Sequence, residues 1–212
     1  RQETEYPWKG EVQVTLQPSA AAEFTLKIRI PNRTESQLYT ATPDLAGQFA
    51  VTVNGQPQAV PVEKGYVSLR RTWKAGDTVA LVLPLEVQRV HCDDRVLANR
   101  GRVALQRGPL TYSVEDVDQA APVAGLILKP DVALQAVWQP DLLEGVMAVE
   151  GDGIKAIPNF ARLNRGGGSE VWIIEDPDKI VAVPPPEEAP LPAPVPRPDL
   201  DPRTVDKVEI GR

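Results

Sequence analysis

The sequence predicts an all-β protein with two antiparallel β-sandwich domains in series, followed by a proline-rich tail. Apolar and polar residues alternate in short runs, which is the period of half-buried strands. The 15 glycines and 22 prolines recur between these runs and supply turns. No long stretch keeps a helical period, so we expect little helix.

Residues 1–87 are predicted to form the first sandwich, with five strands. The strand faces are carried by the alternating apolar residues Val12, Val14 and Leu16; Phe24, Leu26, Ile28 and Ile30; Phe49, Val51 and Val53; the run Tyr66–Thr72; and Val79, Leu81 and Leu83. Asn54-Gly55 tolerates a positive φ at both positions and therefore predicts a two-residue hairpin turn. Lys74-Ala75-Gly76-Asp77 predicts a further turn.

Residues 88–182 are predicted to form the second sandwich. Its strands are expected at Glu86–His91, Arg102–Gln106, Leu110–Val114, Val132–Trp138 and Glu170–Ile174, with short strands between Gly145 and Phe160. Gly108-Pro109 separates two of them. Gly166-Gly167-Gly168 lacks the Lys and Ser/Thr of a phosphate-binding loop and is interpreted as a wide hairpin turn.

Residues 183–212 differ in composition from the rest of the chain. They hold nine of the 22 prolines, which favours a semi-rigid polyproline spacer over a packed element. The alternation in Thr204–Ile210 indicates either the first strand of a further domain or a strand that pairs back.

Charge, hydropathy and cysteine content exclude several classes of function. With 29 acidic and 23 basic residues the net charge is −6, and no basic block exists, so nucleic acid is not expected as a partner. No apolar run is long enough for a membrane span. The single Cys92 and single His91 allow neither a disulfide nor a Cys/His zinc site. The compartment stays open between periplasm or exterior and cytoplasm, and the start at Arg1 indicates either processing or a piece of a longer protein.

Residue types that carry catalysis are present, but their contexts favour structural roles. The acidic pairs are Asp93-Asp94, Asp116-Asp118 and Glu150-Asp152. All three lie in turn-like segments, where capping is the expected role rather than paired acid/base chemistry. The sequence has no G-x-S-x-G nucleophile elbow with which His91 would act in catalysis, so His91 is expected at a surface or an interface. Arg107 is interpreted as an anion clamp or as an arginine paired at a sheet edge. We therefore assign no catalytic residue and no metal ligand.

Aromatic side chains offer the one candidate binding site. Tyr6, Trp8, Tyr66 and Trp73 all fall in the first sandwich, where exposed rings would stack on sugars and buried rings would pack in the core. Both interpretations stay open at this point. Asn32-Arg33-Thr34 also matches an N-glycosylation sequon.

Several segments in order resemble the C-terminal part of the β-L-arabinofuranosidases of glycoside hydrolase family 127. The matching segments are Tyr6–Gly10, Phe24–Pro31, Val53–Gly55, Tyr66–Val79, Val103–Tyr112 and Ile157–Ile173. The resemblance implies an N-terminal (α/α)6 barrel followed by two β-sandwiches, with a zinc-bound cysteine nucleophile and its glutamates in the barrel. None of those positions exists in this chain, so Cys92 receives no catalytic role and no cofactor is expected.

The chain departs from the family pattern at two places. Asn32-Arg33 begins an insertion that runs through Gly47, and Asn159-Phe160-Ala161-Arg162 replaces a stretch that is richer in aromatic residues in the family. Neither departure changes the alternation that predicts the strands.

Two functions follow from the resemblance and the residues. The first is a non-catalytic, structural portion of a bacterial glycoside hydrolase, whose partner is a catalytic barrel outside this chain. The alternative is a carbohydrate-binding module that recognises plant cell-wall oligosaccharides through exposed aromatic rings. A surface built to face a barrel would be apolar, so self-association is also expected.

Overall fold

A computed structural model describes residues 1–31, 36 and 38–182 of the protein. Within these ranges the regular elements are 17 β-strands and five short 3-10 turns, and every strand pair is antiparallel. The predicted all-β class is therefore confirmed. No helix in the described ranges has the length and hydropathy that a membrane crossing requires. The predicted tail, residues 183–212, and the sequon at Asn32 lie outside the described residues.

The strands follow one another along the whole described chain. They are β1 (Gln2–Thr4), β2 (Glu11–Thr15), β3 (Ala22–Arg29), β4 (Tyr39–Thr42), β5 (Ala50–Val53), β6 (Gln56–Pro57), β7 (Val62–Glu63), β8 (Tyr66–Trp73), β9 (Thr78–Val82), β10 (Val87–Cys92), β11 (Arg102–Arg107), β12 (Leu110–Glu115), β13 (Gln135–Gln139), β14 (Val146–Gly151), β15 (Ile154–Pro158), β16 (Ser169–Glu170) and β17 (Ile173–Ile174). The 3-10 turns are Leu97–Asn99, Asp116–Asp118, Val123–Gly125, Asn159–Ala161 and Pro177–Lys179.

Two sheets enclose the first core. A five-stranded sheet in the order β1-β2-β9-β5-β6 packs on a three-stranded sheet in the order β3-β8-β7. The buried side chains come from both sheets: Ile30, Val51, Val53, Val67, Leu69, Trp73, Val79 and Leu81. Their alternation along each strand is the pattern that predicted the sandwich, because successive side chains point to opposite faces.

The second core lies on a nine-stranded sheet. Its main path is β13-β14-β15-β12-β11-β10-β4, and β16 and β17 pair with β12 and β11. The hairpin of β11 and β12 is paired only near its turn, where Arg107 lies opposite Leu110. Farther from the turn the two strands diverge, and β11 pairs with β17 while β12 pairs with β16. The segment between β12 and β13 contributes Val123 and Leu128 and covers this core.

Strand β4 joins the second sheet although it precedes β5 of the first sheet. Tyr39–Thr42 pairs with Arg89–Cys92 of β10. Gln88, which is 7% exposed, donates its amide to the Pro43 carbonyl oxygen at 2.7 Å and holds the end of this strand. This region is part of the insertion after Pro31, in which the sequence predicts no strand. Pairing satisfies the edge of β10, which would otherwise present open hydrogen-bonding groups.

Three of the four predicted turns form as expected. Asn54 and Gly55 have φ values of 50° and 77° between β5 and β6. Lys74–Asp77 turns the chain, but the strands on either side belong to different sheets. Gly108-Pro109 forms the tip of the β11–β12 hairpin. The predicted hairpin at Gly166–Gly168 is wrong, because β15 and β16 both pair with β12 and not with each other.

Candidate functional site

The four aromatic residues proposed as a sugar platform lie in three separate places. Trp73 is fully buried in the first core, and its indole N–H donates to the Phe24 carbonyl oxygen at 3.1 Å. Tyr66 is 41% exposed, with the Arg29 guanidinium 5.5 Å above its ring. Tyr6 and Trp8 are half-buried in the loop after β1. The structure does not unite these four rings in one platform, and their sugar-binding role stays a prediction.

Tyr6 lines a large cleft in the described part of the chain. This cleft has a volume of about 1210 Å³ and also exposes groups of Arg29, Tyr39, Asp44 and Gln88. No further role is assigned to the cleft.

Trp8 instead belongs to an aromatic cluster that the sequence did not indicate. Its ring centroid lies 5.9 Å from that of Trp138, at an interplanar angle of 65°, and 6.3 Å from that of Phe160, at 51°. Trp138 is 47% exposed and Phe160 is 66% exposed. We call these three rings the aromatic face. They come from the loop after β1, from β13 and from the 3-10 turn that follows β15.

Gly145 fixes the position of the Trp138 ring. The glycine ends the turn between β13 and β14 with a φ of 103°, and a Cβ atom there would lie 2.8 Å from Cζ2 of Trp138. A side chain at this position would displace the ring. The indole therefore lies directly against the backbone of the turn, and the side chain remains 47% exposed.

Arg107 holds the loop that carries Trp8. The side chain is 8% exposed, and its terminal nitrogens donate to the Pro7 carbonyl oxygen at 3.4 Å and the Trp8 carbonyl oxygen at 3.3 Å. Arg107 does not lie at a sheet edge, because β11 pairs here with both β10 and β12. Its interpretation as an anion clamp stays a prediction. Burial raises the pKa of Tyr112 to about 12, although the neighbouring Arg107 acts to lower it.

A buried ion network holds the loop that carries Phe160. Glu115 is fully buried, and Arg165 donates to it from Nε at 3.0 Å and from Nη2 at 2.7 Å. Arg165 also binds both oxygens of Asp118, and the Asp118 carboxylate raises the pKa of this guanidinium. The backbone N–H of Leu163 donates to Glu115 at 2.5 Å. We call Glu115, Asp118 and Arg165 the buried ion network.

Asp116 and Asp118, one of the predicted acidic pairs, have separate structural tasks. Asp116 accepts hydrogen bonds from the backbone N–H groups of Val123 at 2.8 Å and Gly168 at 2.7 Å. These two donors hold the pKa of Asp116 below its ordinary value of 3.8. Asp118 pairs with Arg165. The last glycine of the run, Gly168, therefore binds a carboxylate of this chain.

The other two acidic pairs also have partners of their own. Asp93 binds Arg95 at 2.7 Å, and this arginine lowers the pKa of the carboxyl group. Asp94 accepts from Arg100 through its backbone carbonyl at 2.6 Å. Glu150 accepts from the Gln139 amide at 2.8 Å. Asp152 occupies a tight turn with a φ of 50°.

His91 and Cys92 do not act together. Adjacent residues of a strand point to opposite faces, so the imidazole and the thiol diverge. His91 Nε2 lies 2.6 Å from Glu175, whose other oxygen binds Arg89 at 2.7 Å. The Cys92 thiol faces the Val96 carbonyl oxygen at 3.9 Å, and burial raises its pKa. Within the described ranges, no three His, Cys, Asp or Glu side chains form a group that would hold a metal ion.

Comparisons with known proteins match both parts of this fold. The family described as Beta-L-arabinofuranosidase, GH127 middle domain, matches residues 1–85, and the Glycoside hydrolase family 127 C-terminal domain matches residues 87–174. A non-reducing end beta-L-arabinofuranosidase of Bifidobacterium longum subsp. longum is 33% identical over 157 residues, covering 70% of this chain and 22% of that protein.

Solved structures show the same relationship. A GH127 beta-L-arabinofuranosidase from Geobacillus stearothermophilus T6 is 37% identical with a TM-score of 0.72, covering 82% of this chain and 30% of that one. A second GH127 beta-arabinofuranosidase is 31% identical with a TM-score of 0.78, covering 86% of this chain and 32% of that one.

These matches define the chain first as a β-sandwich region of a glycoside hydrolase. More specifically, it belongs to glycoside hydrolase family 127 and comprises the middle and C-terminal domains of that family. It spans 22% of the curated relative and 30–32% of the two solved relatives, and no catalytic domain is matched.

Proposed function

We propose that this chain is the non-catalytic support of a family 127 enzyme of the β-L-arabinofuranosidase type. The observation that carries the proposal is the match to the middle and C-terminal domains without a match to a catalytic domain. The catalytic domain, an (α/α)6 barrel by resemblance, is the partner, and any zinc site belongs to that barrel.

The contacts between the two matched domains support a mechanical role. Arg107 of the C-terminal domain binds backbone carbonyls beside Trp8 of the middle domain, and β4 of the middle domain extends the sheet of the C-terminal domain. Such links make one frame from two sandwiches. A frame of this kind stabilises a neighbouring domain through a fixed contact surface.

A chimera tests this function. Residues 1–182 replace the matching region of the Geobacillus stearothermophilus enzyme, and the control is the same enzyme truncated before that region. We expect the chimera to hydrolyse an aryl β-L-arabinofuranoside and to melt several degrees above the truncated enzyme. A truncated enzyme that is as stable and as active as the chimera would contradict the proposal.

Carbohydrate binding is the second candidate function, and the exposure of Phe160 and Trp138 favours it. Exposed rings with fixed geometry are able to stack on sugars. Calorimetric titration with arabinose-, galactose- and xylose-containing oligosaccharides tests it. Binding that disappears in Phe160→Ala would establish this function, whereas silence from the folded chain would reject it.

A further inference from the structure

We infer that the aromatic face of Trp8, Trp138 and Phe160 is the surface on which the catalytic domain of the enzyme docks. This inference rests on the proposed function and names the contact through which the support acts.

The exposure and the rigidity of the rings are the first argument. Trp138 and Phe160 are 47% and 66% exposed, yet Gly145 fixes the ring of Trp138, and Trp8 contacts both neighbours. Large rings held in water lose little further conformational entropy on binding, which is typical of the centre of an interface. The exposed ion pair of Glu5 with Lys9, at 2.6 Å, flanks Trp8 in the chain and supplies charge of the kind found at an interface rim.

The angles between the rings favour a protein partner over a sugar. Trp8 meets Trp138 at 65° and Phe160 at 51°, so the three planes are inclined to one another. The three rings therefore form no single flat platform for a sugar chain and present ridges and grooves instead. Such relief is complementary to packed side chains of another domain.

The position of Trp8 in the chain is the third argument. The residues matched by the middle domain start at position 1, and Trp8 lies four residues after β1 (Gln2–Thr4). In this family a domain precedes the middle domain, as its name states, and the relatives are about three times as long as the matched region. In such an enzyme a further domain precedes the middle domain, and Trp8 lies in the part of the middle domain that is nearest to that domain in sequence.

The buried ion network gives the fourth argument. Burying a carboxylate such as Glu115 has a high desolvation cost, which Arg165 and the Leu163 N–H offset. This arrangement orders the loop 159–168, whose outer side chains Phe160 and Leu163 are 66% and 54% exposed. A loop held so firmly while presenting apolar groups to water has the properties of a preorganised contact surface.

Hydrogen–deuterium exchange of the chimera and the free 212-residue chain tests the inference. We expect peptides that contain Trp8, Trp138 and Phe160 to exchange about tenfold more slowly in the chimera than in the free chain. The double variant Trp138→Ala/Phe160→Asp should lose this protection and the gain in melting temperature. Leu97→Asp, at a 44% exposed position outside the aromatic face, is the matched control and should retain both.

The outcomes separate this inference from the proposed function. A chimera that is stabilised but protected at other peptides would overturn the docking surface and leave the supporting function intact. A chimera that gains no stability over the truncated enzyme would overturn both. Protection of the same peptides in the free chain by an arabinose oligosaccharide, or by dimerisation, would assign the face to a sugar or to a second copy and overturn the inference.

The free chain provides a measurement that does not depend on the chimera. An apolar docking surface left in water binds 8-anilinonaphthalene-1-sulfonate. We expect the fluorescence of the dye to fall by about half or more in Trp138→Ala/Phe160→Asp and to stay unchanged in Leu97→Asp. Equal fluorescence in all three proteins would contradict the inference.

Discussion

At the scale of single residues, Glu115 is a fully buried charged side chain, and its burial has a high desolvation cost. Its carboxylate has no contact with water and depends on Arg165 and on the Leu163 N–H. A buried ion pair contributes little compared with an apolar pair, but removing one partner leaves an uncompensated charge. Arg165 is therefore the cation that compensates this buried carboxylate and links it to the loop that carries Phe160.

Replacing that arginine should destabilise the chain strongly. In Arg165→Met the Glu115 charge stays buried without a cation, and we expect a loss of about 3–5 kcal/mol in the free energy of unfolding. Urea denaturation followed by tryptophan fluorescence measures it. The matched control is Glu115→Gln/Arg165→Met, which removes both charges and should recover at least half of the loss. A single variant as stable as the wild type would show that Glu115 has another source of compensation.

Asp116 should give a pH-dependent contribution. The pKa of its carboxyl group is lowered from 3.8 by the N–H groups of Val123 and Gly168. The stabilisation that ionised Asp116 gives to the folded chain is therefore complete above pH 3.8. It is lost as the pH falls from 3.8 through the lowered pKa. We expect Asp116→Asn to be less stable than the wild type at neutral pH and the difference to shrink as the pH falls below 3.8. Urea midpoints across this range, with exposed Asp141→Asn as control, measure it, and a constant difference would contradict the role.

At the scale of elements, the β13–β14 hairpin determines the outline of the aromatic face. Its turn ends in Gly145, against which Trp138 packs. The neighbouring β14–β15 hairpin turns through Asp152 and Gly153, also with positive φ values, and nothing lies within 4 Å of a Cβ at Gly153. Both turns need a residue with a positive φ. An added side chain would collide with Trp138 at Gly145 but would meet open space at Gly153.

This pair of glycines separates backbone strain from ring displacement. Both Gly145→Ala and Gly153→Ala put a side chain at positive φ, at a cost of about 1–2 kcal/mol. Gly145→Ala should lose about 1 kcal/mol more and shift the tryptophan emission, because the added Cβ displaces the Trp138 ring. Equal losses with unchanged emission would show that Trp138 does not depend on the glycine. Thermal unfolding and fluorescence spectra give both quantities.

At the scale of the whole molecule, several links join the middle and C-terminal domains, and three of them involve Arg107, β4 and Trp8. Arg107 binds the Trp8 loop, β4 pairs with β10, and Trp8 packs against Trp138 and Phe160. None of the three links is local in sequence. Together they tie the folding of one sandwich to the folding of the other.

The two domains should therefore unfold together. We expect calorimetry of the 212-residue chain to show one transition whose van't Hoff and calorimetric enthalpies agree. A variant that combines Arg107→Met and Ala41→Pro should split or broaden this transition. The first substitution removes the hydrogen bonds to the Trp8 loop, and the second disrupts the pairing of β4 with β10. Two transitions in the wild-type chain would show that the links are too weak to couple the domains.

Local chemistry accounts for the features that could be read from the sequence. Asn54-Gly55, Gly108-Pro109 and the alternation of Val51, Val53, Val79 and Leu81 specify turns and strand faces through backbone preferences and side-chain period. The same information identified the all-β class and, through ordered motifs, the family. It did not reveal whether a given tryptophan would be buried, since Trp73 and Trp138 both lie on alternating strands.

The partners of the functional groups depend on tertiary contacts between distant segments. Glu115 and Arg165 are 50 residues apart, and Trp8 and Phe160 belong to opposite ends of the described chain. β4 leaves its own sandwich for the edge of another sheet. No periodicity encodes such pairings, because their free energy comes from burial and from satisfying charges and sheet edges, and these terms exist only once the whole chain has folded. Turn chemistry and strand alternation, in contrast, act between neighbours and are present in the sequence from the start.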